Sequence, residues 1–336
     1  MRAPSQNTQK TRTSRQAAQI PGPAHGQIVP GFPARWTRRV YEYLVFYLGY
    51  LYFGTGCALV SLLSAALHPL LPDAAGTRLG RWMTGCHFRG FLTLLCASRL
   101  VRIDLAALDE LRAERSIIIA PNHPCLLDAV LIISRLPQTA CIMKADIWDS
   151  FFLGGGARLS GYIRNDSAIN LVRLSTKELR AGHQLLVFPE GTRTRQPPVN
   201  CFKGGFALMA KQSGAEVQTI FIETRSAFLN KGWPPLKKPE FPLVYRARLG
   251  KRFRVTGDVK AFVADLESYY RQELGVSPAD ESLAPRAPRL VVVVVARSDV
   301  APAVPEQPSD QEHPEEYPNQ PGSAEHDGCD YGGDHE

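Results

Sequence analysis

The sequence predicts an α/β domain with a mostly parallel sheet, preceded by an N-terminal membrane-associated helical segment. Three observations carry this. From Tyr43 to Leu67 no charged residue occurs. Between Val101 and Gly275, short β-branched runs alternate with stretches of helix length, and that alternation is the mark of a parallel sheet covered by helices. The two ends of the chain differ in composition from this middle and from each other.

Residues 1–39 are polar, rich in Gln, Thr, Arg and Pro, and lack an apolar period. They read as a flexible basic arm. Residues 40–100 form the membrane-associated segment. Tyr43–Leu67 is about 25 residues long, more than the roughly 20 needed to cross a hydrocarbon core. A cleaved signal peptide fits poorly, because the preceding arm is long and no clean small-x-small site follows. Arg78–Leu100 is amphipathic, with Arg81 and Arg89 among its apolar residues, and reads as an interfacial or packing helix. Residues 101–275 make the α/β domain. Its strand candidates are Ser116–Ala120, Cys141–Lys144, Leu185–Phe188, Val217–Glu223 and Leu243–Arg248, the last two free to pair differently from the rest. Its helix candidates are Leu126–Leu136, Ala168–Arg180, Lys203–Gln212 and Asp258–Leu274. Gly154-Gly155-Gly156 lacks the Lys-Ser/Thr of a phosphate loop and reads as a turn. Residues 276–336 read as a disordered acidic tail, in which Val291–Val295 is the one segment with strand character.

The formal charge of +7 is unevenly spread. From Glu281 onward twelve acidic residues face three arginines, so the tail carries −9 and the rest of the chain +16. A basic body suits an anionic partner such as acidic lipid or a phosphorylated substrate. Nucleic acid fits the basic arm by charge, but no nucleic-acid module follows it. Seven scattered cysteines, without a Cys-x-x-Cys pair, suit a reduced, cytosol-facing protein. The histidines show no ligand spacing, so no metal site is expected.

The chemistry concentrates at strand ends. Ser116–Ala120 runs into Pro121-Asn122-His123-Pro124-Cys125-Leu126-Leu127-Asp128. Proline is favoured at the first helical position, so Pro124 is expected there, with His123 on the loop before the helix. That loop lies at the carboxyl end of a strand, where open α/β sheets bind ligands. Asp128 in the early helix can then reach back to the imidazole and act as the orienting half of a base–carboxylate pair. Cys125, inside this spacer, reads as a small packing residue rather than a thiol nucleophile. A second strand ends in Phe188-Pro189-Glu190-Gly191-Thr192-Arg193, a tight turn carrying an arginine suited to bidentate phosphate binding. Gly161-Tyr162-Ile163-Arg164-Asn165 delivers another arginine. Phe202-Lys203-Gly204-Gly205 opens a helix whose amino end can face an anion.

In order and spacing, His123-x4-Asp128, the Gly161–Asn165 segment, Phe188–Arg193 and the strand after Lys203 resemble the four blocks of the glycerolipid acyltransferases, the relatives of 1-acyl-glycerol-3-phosphate acyltransferase. The resemblance covers about Leu100 to Glu223. It implies a glycerolipid acyltransferase-like αβ fold, an acyl-CoA or acyl-carrier-protein co-substrate with no other cofactor, and a lysophospholipid-like acceptor in the membrane. It also implies His123 as general base with Asp128 as its partner, and Arg164, Glu190, Gly191, Thr192 and Arg193 at the acceptor site. The fourth block departs from the pattern, because Val217–Glu223 holds no proline. The Asn230-Lys231-Gly232-Trp233-Pro234 segment also looks specialised, and the run from Asn122 through Lys144 to Arg164, followed by this altered block, resembles the acyltransferases encoded with bacterial polyene-lipid pathways. They leave the acceptor open, but not the reaction type.

The expected chemistry is acyl transfer to a hydroxyl, with backbone N–H groups after His123 as candidate oxyanion donors. A lipid or thioester hydrolase and a non-catalytic anionic-lipid-binding protein stand as alternatives. The catalytic domain is expected to face the cytoplasm at the cytoplasmic membrane, since basic residues flank the apolar stretch on both sides. One straight span would place one flank on the wrong face. Gly49, Gly54 and Gly56 therefore suggest a bend, by which Tyr43–Leu67 enters the bilayer and returns, or lies deep in the interface.

Overall fold

The structure is a computed structural model that describes residues 32–275, with side chains from Trp36 onward. The expectations for the arm up to residue 31 and for the tail from 276, Val291–Val295 included, lie outside the described residues. A seven-stranded sheet has the order β1-β7-β6-β2-β5-β3-β4. Its strands are β1 (Val101–Asp104), β2 (Ile117–Pro121), β3 (Ala140–Lys144), β4 (Ile163–Asn165), β5 (Leu185–Leu186), β6 (Glu216–Thr224) and β7 (Leu243–Phe253). All neighbours are parallel except β6 and β7, so the mostly parallel sheet and its differently paired last strands are as the sequence predicts.

Strand β2 shows why the sheet is central. Its Ile-Ile-Ile-Ala-Pro sequence is buried throughout, as a strand covered on both faces requires. Ile117 and Ile119 pack into the layer of α1 (Phe32–Leu67), α2 (Asp73–Ala97) and α3 (Asp128–Arg135). Ile118 and Ala120 face the opposite layer, made by α6 (Ala168–Arg180), α7 (Gly205–Ser213) and α8 (Val259–Gly275). The Tyr270 hydroxyl donates to the Ala120 carbonyl and anchors α8 against this strand.

Helix α1 corrects the expectation of a bend inside the apolar stretch. It runs unbroken for 36 residues, about 54 Å at 1.5 Å per residue. Within it, Trp36–Leu67 is long and apolar enough to cross a membrane. The chain reverses only after Leu67, and α2 returns against α1. Gly49 and Gly56 serve this packing rather than a hinge, while Gly54 faces open space. A Cβ at Gly49 would sit 3.3 Å from Leu95, and one at Gly56 would lie 2.1 Å from the His87 ring. Tyr52 and Phe53 stack against His87, Phe88 and Phe91 between these contacts. The outer face of α1 leaves Leu44, Tyr47, Leu48, Leu51, Leu59 and Leu62 exposed, an apolar strip of the kind that marks a membrane or protein contact.

Two further expectations change. Gly154-Gly155-Gly156 is not a turn but the start of α5 (Gly154–Leu159), which follows the single-turn α4 (Ala145–Trp148). Glycine is a poor helix former, yet here a side chain has no room. A Cβ on Gly155 would lie 2.1 Å from the Ser61 carbonyl of α1, and the Gly155 N–H donates to Ser61 Oγ at 2.9 Å. Close packing against α1 therefore overrides propensity. The helix expected from Pro124 begins instead at Asp128, with residues 124–127 in bends and turns. Within them the Leu126 N–H is drawn to the Leu229 carbonyl at 3.1 Å.

Candidate active site

The site lies where β2 leaves the sheet between its neighbours β5 and β6. Asn122 fixes the exit. Its Oδ1 accepts the Ile222 N–H at 2.7 Å and its Nδ2 donates to the Ile222 carbonyl at 3.1 Å, so a side chain continues the ladder to β6 where the backbone departs. His123 follows. Its N–H donates to Glu190 Oε1 at 2.9 Å and its carbonyl accepts the Thr194 N–H at 2.7 Å. The 188–194 turn thus holds the His123 backbone from both sides. The Phe188 ring stacks on the imidazole with centroids 3.8 Å apart and planes 19° from parallel.

His123 Nδ1 lies 2.8 Å from Asp128 Oδ2. Asp128 is fully buried, while the His123 side chain keeps 15% exposure. The carboxylate also accepts the Cys125 N–H on Oδ2 at 2.8 Å and the Cys125 thiol on Oδ1 at 3.1 Å. With Nδ1–H assigned as the donor to this carboxylate, Nε2 is left as a bare acceptor. The turns at 124–127 make the meeting possible, since an i, i+5 pair on one continuous helix would point apart. The same turns use the N–H groups first suggested for an oxyanion. That of Cys125 goes to Asp128 and that of Leu126 to Leu229.

The acceptor-site candidates separate. Glu190 is 1% exposed and faces inward. Besides His123 it accepts the Thr194 hydroxyl at 2.9 Å and the Asn200 N–H at 2.8 Å. Burial pushes its carboxyl above the ordinary range, against the hydrogen bonds that lower it. Gly191 turns the chain at φ +68, where a Cβ would meet Lys203 at 3.3 Å, and glycine suits that conformation. Thr192 stands half-buried on this turn. Arg193 Nη1 donates to the Leu229 and Asn230 carbonyls at 2.9 and 3.1 Å, tying the turn to the 225–242 connection. Arg164 is not brought to the imidazole. It sits on the edge strand β4, three strands from β2, roughly 14 Å at 4.8 Å per strand. Its guanidinium pairs with Asp149 at 2.9 Å.

A cavity of about 390 Å³ opens beside the residues flanking His123, lined by Asn122, Pro124, Thr194, Arg195, Glu223 and Arg225 among others. Arg248 neutralises its acidic wall, bonding Glu223 at 2.7 Å and Glu273 at 3.0 Å. No group of His, Cys, Asp and Glu side chains among the described residues could hold a metal ion. Sequence reasoning missed Asn122, Phe188 as a stacking partner, and the thiol contact of Cys125. The position of Phe188 directly before Pro-Glu-Gly and the three-residue offset of Cys125 from Asp128 were the available signals, while the role of Asn122 depends on Ile222, a hundred residues away.

A family model described as Acyltransferase matches residues 102–223. Across 165 residues the chain is 30% identical to the lyso-ornithine lipid O-acyltransferase of Pseudomonas aeruginosa, a match covering 48% of this chain and 60% of that relative's length. The fold is similar to the crystal structure of PlsC, the 1-acyl-sn-glycerophosphate (LPA) acyltransferase from Thermotoga maritima. The TM-score is 0.53 at 18% identity, over 73% of this chain and all of that one. The matched segment runs from β1 into β6 and encloses His123, Asp128, Arg164 and Glu190–Arg193.

Proposed function

We propose that the protein transfers a fatty acyl group from a thioester, acyl-CoA or acyl-carrier protein, to the free hydroxyl of a membrane lysolipid. The observation that carries this is the imidazole of His123, held through Nδ1 by a buried carboxylate with Nε2 left open. Nε2 takes the acceptor's hydroxyl proton as that oxygen bonds to the thioester carbon. The tetrahedral oxyanion collapses, the C–S bond breaks, and the imidazolium returns the proton to the departing thiolate. Asp128 keeps the ring in one tautomer and stabilises the imidazolium between these steps. The substrate's own hydroxyl is the nucleophile, so no enzyme ester is formed. A positioned base of this kind typically contributes about 10²–10⁴-fold.

The acceptor class follows from the relatives, whose names specify a lyso-ornithine lipid and a 1-acyl-glycerophosphate. The apolar face of α1 supports delivery of such a lipid from a membrane. The donor is made in the cytosol, so the domain faces that side, with the α1–α2 hairpin set into the adjacent leaflet. Arg193 shapes the acceptor site through the 225–242 connection, and Gly191 and Thr192 form the turn beside it. Membranes containing the protein, given labelled acyl thioester and a panel of lysolipids, should form diacylated product from one acceptor class. Free labelled fatty acid as the main product, independent of any acceptor, would replace transfer by hydrolysis.

A further inference from the structure

Asp128 has two oxygens, and the His–Asp pair uses one of them. The other, Oδ1, accepts the Cys125 thiol at 3.1 Å. Cys125 is itself fully buried, and its thiol is pushed well above its ordinary value, chiefly by burial and then by the neighbouring Asp128 charge. A thiol so placed neither reaches a substrate nor ionises, so it is no nucleophile. Behind it stands Tyr245 of β7, 1% exposed, whose hydroxyl finds no hydrogen-bond partner at ordinary distances. The groups acting on that hydroxyl are the Cys125 thiol and the Asp128 carboxylate. A thiol sulfur is a weak acceptor as well as a weak donor. Tyr245, Cys125, Asp128 and His123 therefore form one file of polar groups from the sheet to the open imidazole nitrogen. Glu190, bonded to the His123 backbone, is the other ionisable group bearing on that ring.

We infer that Cys125, backed by Tyr245, is a positioning residue that holds the second oxygen of Asp128 while leaving its negative charge available to His123. This rests on the reading of His123 as general base. A buried carboxylate oxygen without a donor would go unsatisfied and would weaken the fixed geometry of the pair. A hydroxyl at this position would be a stronger donor and would draw more charge away from the imidazole. The thiol lies between these limits. That explains a cysteine in the spacer better than packing alone, since packing needs only a small side chain.

The test uses full-length protein with Cys125→Ala, Cys125→Ser, Tyr245→Phe and His123→Ala, each checked for folding by thermal melt. Cys125→Ala should lower kcat by about tenfold with KM for both substrates unchanged, and should move the acid limb of the kcat/KM profile to higher pH. Cys125→Ser should recover most of kcat and move that limb to lower pH. Tyr245→Phe should shift it in the direction of Cys125→Ala, by less. Unchanged profiles in both folded Cys125 variants, with His123→Ala inactive, would overturn the inference and leave the base mechanism standing. If Cys125→Ala fails to fold, the opposite shift required of Cys125→Ser decides alone. An active, folded His123→Ala would remove the mechanism and the inference together.

Discussion

Two buried charge clusters in this molecule look alike in composition and differ in what they leave open. Beneath α2, Arg81 is 1% exposed and spends its guanidinium inside the fold. It donates to the Ser160 carbonyl at 2.9 Å, the Gln138 carbonyl at 3.0 Å and Glu178 at 3.0 Å. Those contacts join α2 to the end of α5, the strand entry before β3, and α6. At the end of β2, Asp128 is equally buried, but the imidazole it holds keeps a nitrogen for an outside partner. Burying a charge is expensive unless every lone pair and proton is satisfied. The Arg81 cluster draws its partners from inside the fold and fastens the α1–α2 hairpin to the domain. The Asp128 cluster stops one group short, and that gap is where chemistry can occur.

Substitutions can break or sharpen this contrast. The largest effect is expected from Asp128→Asn, with turnover falling by about 10⁴ as an amide allows the wrong tautomer and the melting profile little changed. A comparable loss of stability with only a small loss of turnover per folded molecule would erase the distinction. Arg81→Ala should do the reverse. It should cost about 3–5 kcal/mol of stability, measured by denaturant titration of detergent-solubilised protein, while the folded fraction keeps its specific activity. Glu190→Ala should fall between them, at roughly 2–4 kcal/mol, because it strands the His123 and Asn200 N–H groups and loosens the site as well.

The smallest effect concerns pH. The hydrogen bond from His183, and then that from Arg81, hold the Glu178 carboxyl below its ordinary value of 4.5. A depressed carboxylate contributes stability that is complete above the unfolded value and fades as pH falls through the folded one. Glu190, raised by burial, has the opposite sign: its contribution is present at low pH and fades as pH rises through its folded value. Glu178→Gln should therefore flatten the loss of stability below pH 4.5 without changing turnover. An unchanged acid limb of the stability curve would show that Arg81 does not depend on this partner.

The contrast also shows what a sequence can disclose. The meeting of His123 and Asp128 was legible because it is local: a five-residue offset works only if the histidine lies outside the helix. The mostly parallel sheet was legible because buried strands such as Ile117–Pro121 carry continuous apolar runs. Tyr245 lies more than a hundred residues from Asp128, and nothing nearby in the chain hints at the contact. Arg81 read as a polar interruption of an amphipathic helix, because its three partners come from three other elements. The glycines misled in two ways. Those of α1 suggested a hinge and Gly154–Gly156 a turn, yet Gly49, Gly56 and Gly155 permit close approach between helices, a demand set by the partner surface and invisible in local propensity.

The central claim is that the open nitrogen of His123 takes the acceptor's proton. It is tested most directly by the initial rate of acyl transfer in purified His123→Ala protein, with labelled acyl thioester and the preferred lysolipid, alongside a thermal melt of the same sample. The account predicts a rate lower by about 10²–10⁴-fold at wild-type stability. A rate close to that of the wild type in a folded variant would contradict it.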